Sequence, residues 1–515
     1  MDTKALRQKI LDLAIRGKLV PQDSNDEPAS VLLERIRQQK QQMVKEGKLK
    51  PKDIKNDSVI FVGEDNLHYE KFSDGSVKCI EDEIPFELPD GWAWARLSSI
   101  ADMALGKMLD VAKNKGSLRP YLRNINVRWG TFDLSDTLEM RFEDNELERY
   151  SICYGDLVMC EGGEPGRCAV WKSEEVVFYQ KALHRVRAIE ILPEYLYYVI
   201  RRFIISNQYE KYYTGTTIKH LTGQSLRMLP IPLPPLNEQK LIVEHLQRII
   251  EEIDKIEMRK TEAFSLVSLA KSKILDLAIR GKLVPQDSND EPASVLLERI
   301  RAEKEELIRQ GKIKRDKKES VIFRGEDNSY YEKIGDKVEN ISDEIPFELP
   351  DGWAFVRLKE LCELVSGRDL SPSEYNADGD GIPYITGASN FASGKVSLVR
   401  WTTTPQVITE AGDLLLTCKG TIGGMAFNDF GNAHIARQIM AIRNTFALNS
   451  EYLALCMGFY INAIKGAAKG LIPGISREDI LNLILPVPSL NYQAKVAEQV
   501  AEVTNIFSAI EKSLS

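Results

Sequence analysis

Between Leu236 and Gly281 apolar residues recur at alternating steps of four and three: Ile242, Leu246, Ile249, Ile253 and Ile256, then Ala263, Val267, Ala270, Ile274 and Leu277. Only Lys260 interrupts the series. A heptad sustained over this length predicts one long helix with a narrow seam meant for a partner helix. At about 1.5 Å per residue it spans roughly 65 Å.

The partner is found in the same chain. Residues 9–37 (KILDLAIRGKLVPQDSNDEPASVLLERIR) reappear unchanged at 273–301, and LNEQ at 236–239 answers to LNYQ at 490–493. The seam resumes at Val496, Val500, Val503, Phe507, Ile510 and Leu514, and Leu6, Ile10 and Leu13 carry it near the N-terminus. Shifting by the repeat offsets sets Ser515 opposite Thr261 and Met1 opposite Ser265. A second long helix is therefore predicted to be split by the chain ends, with 490–515 as its front half and 1–17 as its back half. The sequence is a two-unit repeat read from a start point inside a helix, and a two-fold relation between the units sets the long helices antiparallel.

Connectors follow at 18–95 and 282–355. Gly17 stands where a helix ends, with Pro21 beyond it. A charged helix is predicted between Pro28 and Gly47, with its copy between Pro292 and Gly311. Its single modest apolar face favours a solvated helix packed on the body over an arm for partner docking. SVIFVGEDN and SVIFRGEDN, with Asp74-Gly75 and Gly335-Asp336, predict β-hairpins. DEIPFELPDGW stands at both 82–92 and 343–353 and reads as an extended connector whose Trp92 and Trp353 anchor the entry to a domain.

Two unlike segments, 96–235 and 356–489, fill the space between connector and long helix. They differ in most residues but share a skeleton: GDLVMCEGGEPGR at 155–167 answers to GDLLLTCKGTIGG at 412–424. A helix-like stretch follows in each (PEYLYYVIRRFI; SEYLALCMGFYI), then a glycine-containing loop (TGTTIKHLTG; AAKGLIPGIS) and a proline-marked exit (IPLPPLNEQ; LPVPSLNYQ). A near-identical frame with divergent inserts suggests one scaffold holding two different readers.

The 515 residues exceed one core, and 43% hydrophobic with 28% charged residues is the composition of a soluble globular protein. The N-terminus lacks the apolar core of a signal peptide, and no apolar run is long enough to cross a membrane. Seven cysteines without paired spacing point to a reducing interior, hence the cytoplasm. The net charge of −8 argues mildly against nucleic acid, but the distribution of charge weighs more than its sum.

Catalytic signatures are missing: there is no GxxxxGK[ST], HExxH, GxSxG or GxGxxG opening a helix, and no Asn/Asp-Pro-Pro pattern of adenine methyltransferases. Cys153, Cys160 and Cys168 are spaced too widely for a zinc knuckle and read as buried thiols. Glu238-Gln239-Lys240 looks like part of a nuclease motif, but its counterpart is Asn491-Tyr492-Gln493, so it reads as a helix start. Side chains suited to nucleic acid gather in the inserts, because Arg reads guanine and Asn or Gln reads adenine through paired hydrogen bonds. The first offers Arg123, Asn124, Asn126 and Arg128 around Trp129, then Arg167, the run QKALHR at 180–185, and Thr216, Thr217 and Lys219. The second offers Ser389, Asn390, Lys419, Thr421, Arg437, Gln438 and the loop around Lys469. The first insert is near neutral and the second slightly acidic, so neither is a strong phosphate binder by itself.

The duplicated LPDGW entry, the GDLLLTCKG-type run, the PLPPLNEQ exit and the helix ending KILDLAIRGKLVPQDSNDEPAS together resemble the specificity subunit of Type I restriction–modification enzymes, over essentially the whole chain. The resemblance implies an α+β fold: two α/β target recognition domains separated by a pair of long antiparallel coiled-coil helices, with a pseudo-two-fold internal repeat. It implies a non-catalytic chain that reads the two halves of an interrupted site in double-stranded DNA, as part of phage defence. Two modification subunits using S-adenosylmethionine would methylate adenine, and restriction subunits using ATP and Mg would cleave; no cofactor is expected in this chain. The alternative is the DNA-recognition component of a related methylation or defence assembly without a nuclease.

Overall fold

The computed structural model describes residues 2–514 except 56, 111, 314, 316–318, 393, 447 and 468–473. The chain divides into two compact units, Met1–Arg259 and Lys260–Ser515. The predicted long helix is a single element of 44 residues, Leu236–Ile279, and the division falls within it. Ile242, Leu246, Ile253 and Val267 of the seam are buried. Lys260, the polar interruption, is half-buried.

Each unit contains its own antiparallel helix pair. In the first, the helix Thr3–Ile15 lies beside the front of the long helix, and Arg7 makes ion pairs with Asp254 and with Glu257, the latter at 3.0 Å. In the second, the back of the long helix meets Leu490–Leu514, and Lys271 reaches Glu511 at 2.7 Å. Residues 271 and 511 are the repeat counterparts of 7 and 257, so the duplication extends to individual contacts.

Glycine ends both copies of the repeated helix for a physical reason. Gly17 and Gly281 take φ of +64° and +66°, the left-handed conformation of a helix C-terminus. A Cβ there would stand 2.5 Å from Pro89 in one unit and 2.7 Å from Pro350 in the other. The repeated RG and LPDGW motifs are thus two sides of one contact. The same tryptophans anchor the domain entry: Trp92 donates its indole N–H to Glu238, and Trp353 donates to Gln286 and packs edge-on against Tyr492.

Each insert folds into two four-stranded sheets. In the first unit an antiparallel sheet runs in the order Cys168–Val170, Leu157–Cys160, Leu183–Ala188, Ala101–Leu105. The other sheet, in the order Leu138–Phe142, Ser117–Leu122, Val177–Tyr179, Ser151–Ile152, includes one parallel pairing, of Tyr121 with Phe178. The second unit repeats both sheets, with the parallel pairing at Tyr384 and His434. The proline-marked exits are strands that close each domain on its own entry: Pro230–Leu233 pairs with Ala93–Arg96, and Ile484–Val487 with Ala354–Arg357. Proline is tolerated because these two-stranded ribbons have free edges. Gln239 and Gln493, the last residues of LNEQ and LNYQ, each bridge this exit to the start of a domain helix. Gln239 accepts from Leu192 N and donates to Pro234 O, and Gln493 accepts from Asn449 N and donates to Pro488 O.

The connectors are helix plus three-stranded meander, with Asp74-Gly75 and Gly335-Asp336 at the tight turns. The helix Ala29–Lys45 buries Leu32, Ile36 and the stem of Lys40, whose ammonium donates to Ser98 O and pairs with Asp57. A fully buried ion pair fastens the meander to the insert domain. Arg96 lies 2.6 Å from Glu70 and 2.8 Å from Glu83, and donates to Met228 O at 2.7 Å. Arg357 repeats the pattern with Glu332, Glu344 and Asn482 O. Burial alone would depress the Arg96 guanidinium, but Glu70 and Glu83 outweigh it and its pKa is raised.

Two predictions follow from this packing. Removing one partner of a buried pair strands the other, so Glu70→Ala should cost roughly 3–5 kcal/mol, read as a lower urea midpoint for the first unit. The second concerns Glu238, whose carboxyl is buried with one oxygen lacking a partner. Burial raises its pKa, against the opposing bond from Trp92. Its charge therefore opposes folding above that raised pKa, whereas at low pH the group is neutral in both states. Glu238→Gln should raise Tm at pH 8, and the gain should vanish as the pH falls below the ordinary carboxylate range. Thermal scans of both chains from pH 8 down to about pH 3, below the ordinary carboxylate range, would check the sign.

Candidate nucleic-acid interface

Both recognition domains present a glycine loop built on one hydrogen-bond pattern. In the first unit Glu161 N bonds Ala182 O, Gly166 N bonds Cys160 O, Cys160 N bonds Arg167 O and Leu221 N bonds Glu161 O. In the second, Cys418 N bonds Gln438 O, Gly423 N bonds Thr417 O, Thr417 N bonds Gly424 O and Ile475 N bonds Cys418 O. The matching glycines share their conformation: φ is +76° and +88° at Gly163 and Gly166, and +73° and +78° at Gly420 and Gly423. On this register Gly162 corresponds to Lys419, Glu164 to Thr421, Arg167 to Gly424 and Ala182 to Gln438. The backbone is common and the chemistry on it is not.

In the first unit the candidate residues form one loop cluster. Asn124 donates to Gly162 O at 2.9 Å, and its own carbonyl accepts from Arg167 at 3.0 Å. The side-chain oxygen of Asn124 is buried without a partner. The segment carrying Thr216, Thr217 and Lys219 is a small hairpin, closed by the Thr214–His220 bridge and docked on the glycine loop through His220 and Gly162. Buried His184, its pKa lowered by desolvation, contacts Leu221 O beneath that hairpin. Thr216 and Thr217 are exposed. Most of the candidate cations are ion-paired within the domain: Arg123 with Asp136, Arg128 with Asp133, Arg167 with Glu164, Lys219 with Glu210 and, from the 180–185 run, Arg185 with Asp102, whereas Lys181 of that run is exposed. Arg167 is held by Glu164 and the Asn124 carbonyl together, so its guanidinium clamps the loop.

Asn126 is buried and faces inward, accepting from Arg123 N and donating to Asp133 O and Asp136 O. Asn390 does the same in the second unit, accepting from Thr386 N and Gly387 N and donating to Ser397 O. These two asparagines shape the turn before the interface and present nothing at its surface.

The second unit brings Lys419, Thr421, Arg437, Gln438 and Ser389 to one edge, all exposed. Arg437 is paired with Asp369 at 2.7 Å, and Cys418 links the glycine loop to the turn carrying Arg437 and Gln438. The loop around Lys469 lies outside the described residues. One further cationic position was not singled out in the sequence. Lys107 N bonds Tyr179 O and Arg368 N bonds Ile435 O, each after a glycine whose Cβ would collide with the facing backbone. Lys107 is buried against Glu143 and Glu146, whereas Arg368 is exposed. The shared Gly-Lys and Gly-Arg dipeptides were the available signal.

The Gly-Asp-Leu runs are structural. Asp156 pairs with Arg187 and accepts from Cys153 N, and Asp413 pairs with Arg443 and accepts from Glu410 N. Burial raises the thiol pKa of Cys160 and Cys168, and all seven cysteines are free. Among the described residues no group of His, Cys, Asp and Glu is placed to hold a metal ion, and no helix is long and apolar enough to cross a membrane.

Comparison with known proteins agrees with this two-reader architecture. The family model of the Type I restriction modification DNA specificity domain matches twice, at residues 89–263 and 350–515. The specificity subunit of the Type I restriction enzyme EcoAI from Escherichia coli is 29% identical over 422 residues, covering 71% of this chain and 63% of that protein. The EcoEI specificity subunit from Escherichia coli is 26% identical, covering 99% of this chain and 90% of that one. A solved chain from a study of complex assembly and conformational transition of the type I R-M system is similar in fold, with a TM-score of 0.57 and 20% identity over 84% of this chain and 94% of that chain. With the family model covering most of the chain in two copies, the protein belongs to the Type I restriction–modification DNA specificity family and carries two of its specificity domains.

Proposed function

We propose that each recognition domain reads one half of an interrupted site in duplex DNA, and that the chain does so on behalf of partner subunits that carry the chemistry. The observation that carries this reading is the pair of glycine loops, alike in backbone hydrogen bonding and different at every projecting position. A stability requirement would keep the side chains as well as the backbone; a requirement to read two different sequences would keep only the backbone. The reading edge in the first domain comprises Asn124, Arg128, Thr216, Thr217 and Lys219. In the second it comprises Ser389, Lys419, Thr421, Arg437 and Gln438, joined by Arg368.

The partners in this reading are two modification subunits, which bind S-adenosylmethionine and swing the target adenine out of the duplex, and restriction subunits that use ATP and Mg. This chain contributes no catalytic group. Its frame, the repeated connectors and long helices, holds the partners. Lys419 and Arg368 are exposed cations with no carboxylate in ion-pair contact among the described residues, and we assign them to phosphate.

Two measurements test the proposal. Exchanging residues 96–235 for the matching segment of a relative should alter one half of the methylated motif and leave the other half unchanged, as read by genome-wide mapping of methylated adenine. A swap that changed both halves together would overturn the division of labour. Replacing Lys419 or Arg368 by Ala should weaken all DNA sequences alike and lower the slope of log binding constant against log salt by about 1 per residue.

A further inference from the structure

In the second recognition domain the amide of Gln438 is uncommitted and lies beside a glycine. Gln438 is exposed at the turn that follows the strand Ala433–Ile435, and its carboxamide makes no hydrogen bond among the described residues. It lies against the backbone of Gly387, where a Cβ would stand 2.3 Å from the Gln438 Oε1. A side chain at 387 would push the flexible end of Gln438 aside.

The main chain beneath it is pinned. Gln438 O accepts from Cys418 N at 2.8 Å, and Ile439 N closes the turn on Ala436 O at 2.9 Å. Gly387 N is held by the inward-facing Asn390. A solvated glutamine would keep its rotamer freedom, and ordering such a side chain has an entropic cost that contact with water does not offset. The pinned main chain fixes where the amide projects, so that only the side chain's own rotamers remain to be ordered when a ligand arrives.

Resting on the DNA reading above, we propose that Gln438 reads one adenine of the half-site engaged by the second domain. The carboxamide oxygen accepts from the adenine N6 amino group while its NH2 donates to N7, a pairing that the major groove offers at adenine. Lys419, Thr421 and Arg437 surround it as phosphate and flanking contacts. The role belongs to the second domain alone, because Ala182 occupies the equivalent position in the first and has no amide.

The test uses the full chain with its modification partners in cells, with methylated sites mapped for the natural chain, Gln438→Ala and Gly387→Ala. Gln438→Ala should reduce discrimination at a single A·T pair of the second half-site by roughly 5- to 100-fold. Other positions of that half, and the whole of the first half, should be unchanged. Gly387→Ala, which displaces the amide without removing it, should relax the same single position. An unchanged motif in Gln438→Ala, relaxation at a G·C pair, or uniform weakening at all sites would each overturn the proposal. If the natural chain directs no methylation to interrupted sites, the DNA reading itself falls and this assignment with it. A natural chain with an interrupted motif that Gln438→Ala leaves intact removes the assignment alone.

Discussion

The arrangement depends on a buried guanidinium. Arg96 takes Glu70 from the meander, Glu83 from the connector and the Met228 carbonyl from the approach to the exit strand, so one side chain joins three separate segments. Removing both charges from water carries a penalty of several kcal/mol per ion, and only close, well-aligned contacts offset it. That requirement tolerates little variation. The second unit meets it again with Glu332, Glu344 and the Asn482 carbonyl around Arg357. The connector keeps the same contacts in both copies because its geometry is fixed by this pair and by the contact of proline and tryptophan with Gly17 and Gly281. Beyond the paired entry and exit strands the insert is free to differ.

Divergence in the inserts is confined by backbone. Gly163, Gly166, Gly420 and Gly423 take left-handed conformations that side chains with a Cβ adopt at a cost, so these positions are held while their neighbours change. Asn126 and Asn390 impose a second limit, since each binds its own turn from inside. Lys can therefore replace Gly at 162/419, and Gln can replace Ala at 182/438, without altering the loop path. A surface built in this way can change its chemistry by single side chains while keeping its shape.

Much of the frame was legible in the sequence because its signals are local or duplicated. The heptad series gave the long helix, the repeat at 9–37 and 273–301 gave two units, and Gly17 and Gly281 gave the helix ends. The inserts were less legible because their pairings are long-range. Nothing near Pro230 or Pro486 announces a strand, since the proline-rich exits gain their β structure from an entry more than a hundred residues earlier. Sequence could place the candidate residues on loops but could not give their side-chain directions. Asn126 and Asn390 have the composition of base readers, but their neighbours supply backbone groups in need of a partner, and the side chains turn inward. Arg167 likewise has the chemistry of a guanine reader and is held by Glu164 and Asn124.

The charge balance has a similar physical basis. A protein that reads sequence must bind the correct site far more tightly than the surrounding duplex, and nonspecific affinity rises with each unpaired cation placed on phosphate. Arg123, Arg128, Arg167 and Lys219 of the first domain are each offset by a carboxylate of the same domain, and the chain as a whole carries a net charge of −8. An arginine held by an acid keeps a fixed direction and adds little to the attraction for arbitrary DNA. Under the DNA reading, the near-neutral loops leave discrimination to hydrogen-bond geometry and leave the bulk of backbone attraction to the partners that close on the duplex. On the same reading, the acidic composition that argued against nucleic acid in the sequence would lower affinity for arbitrary duplex.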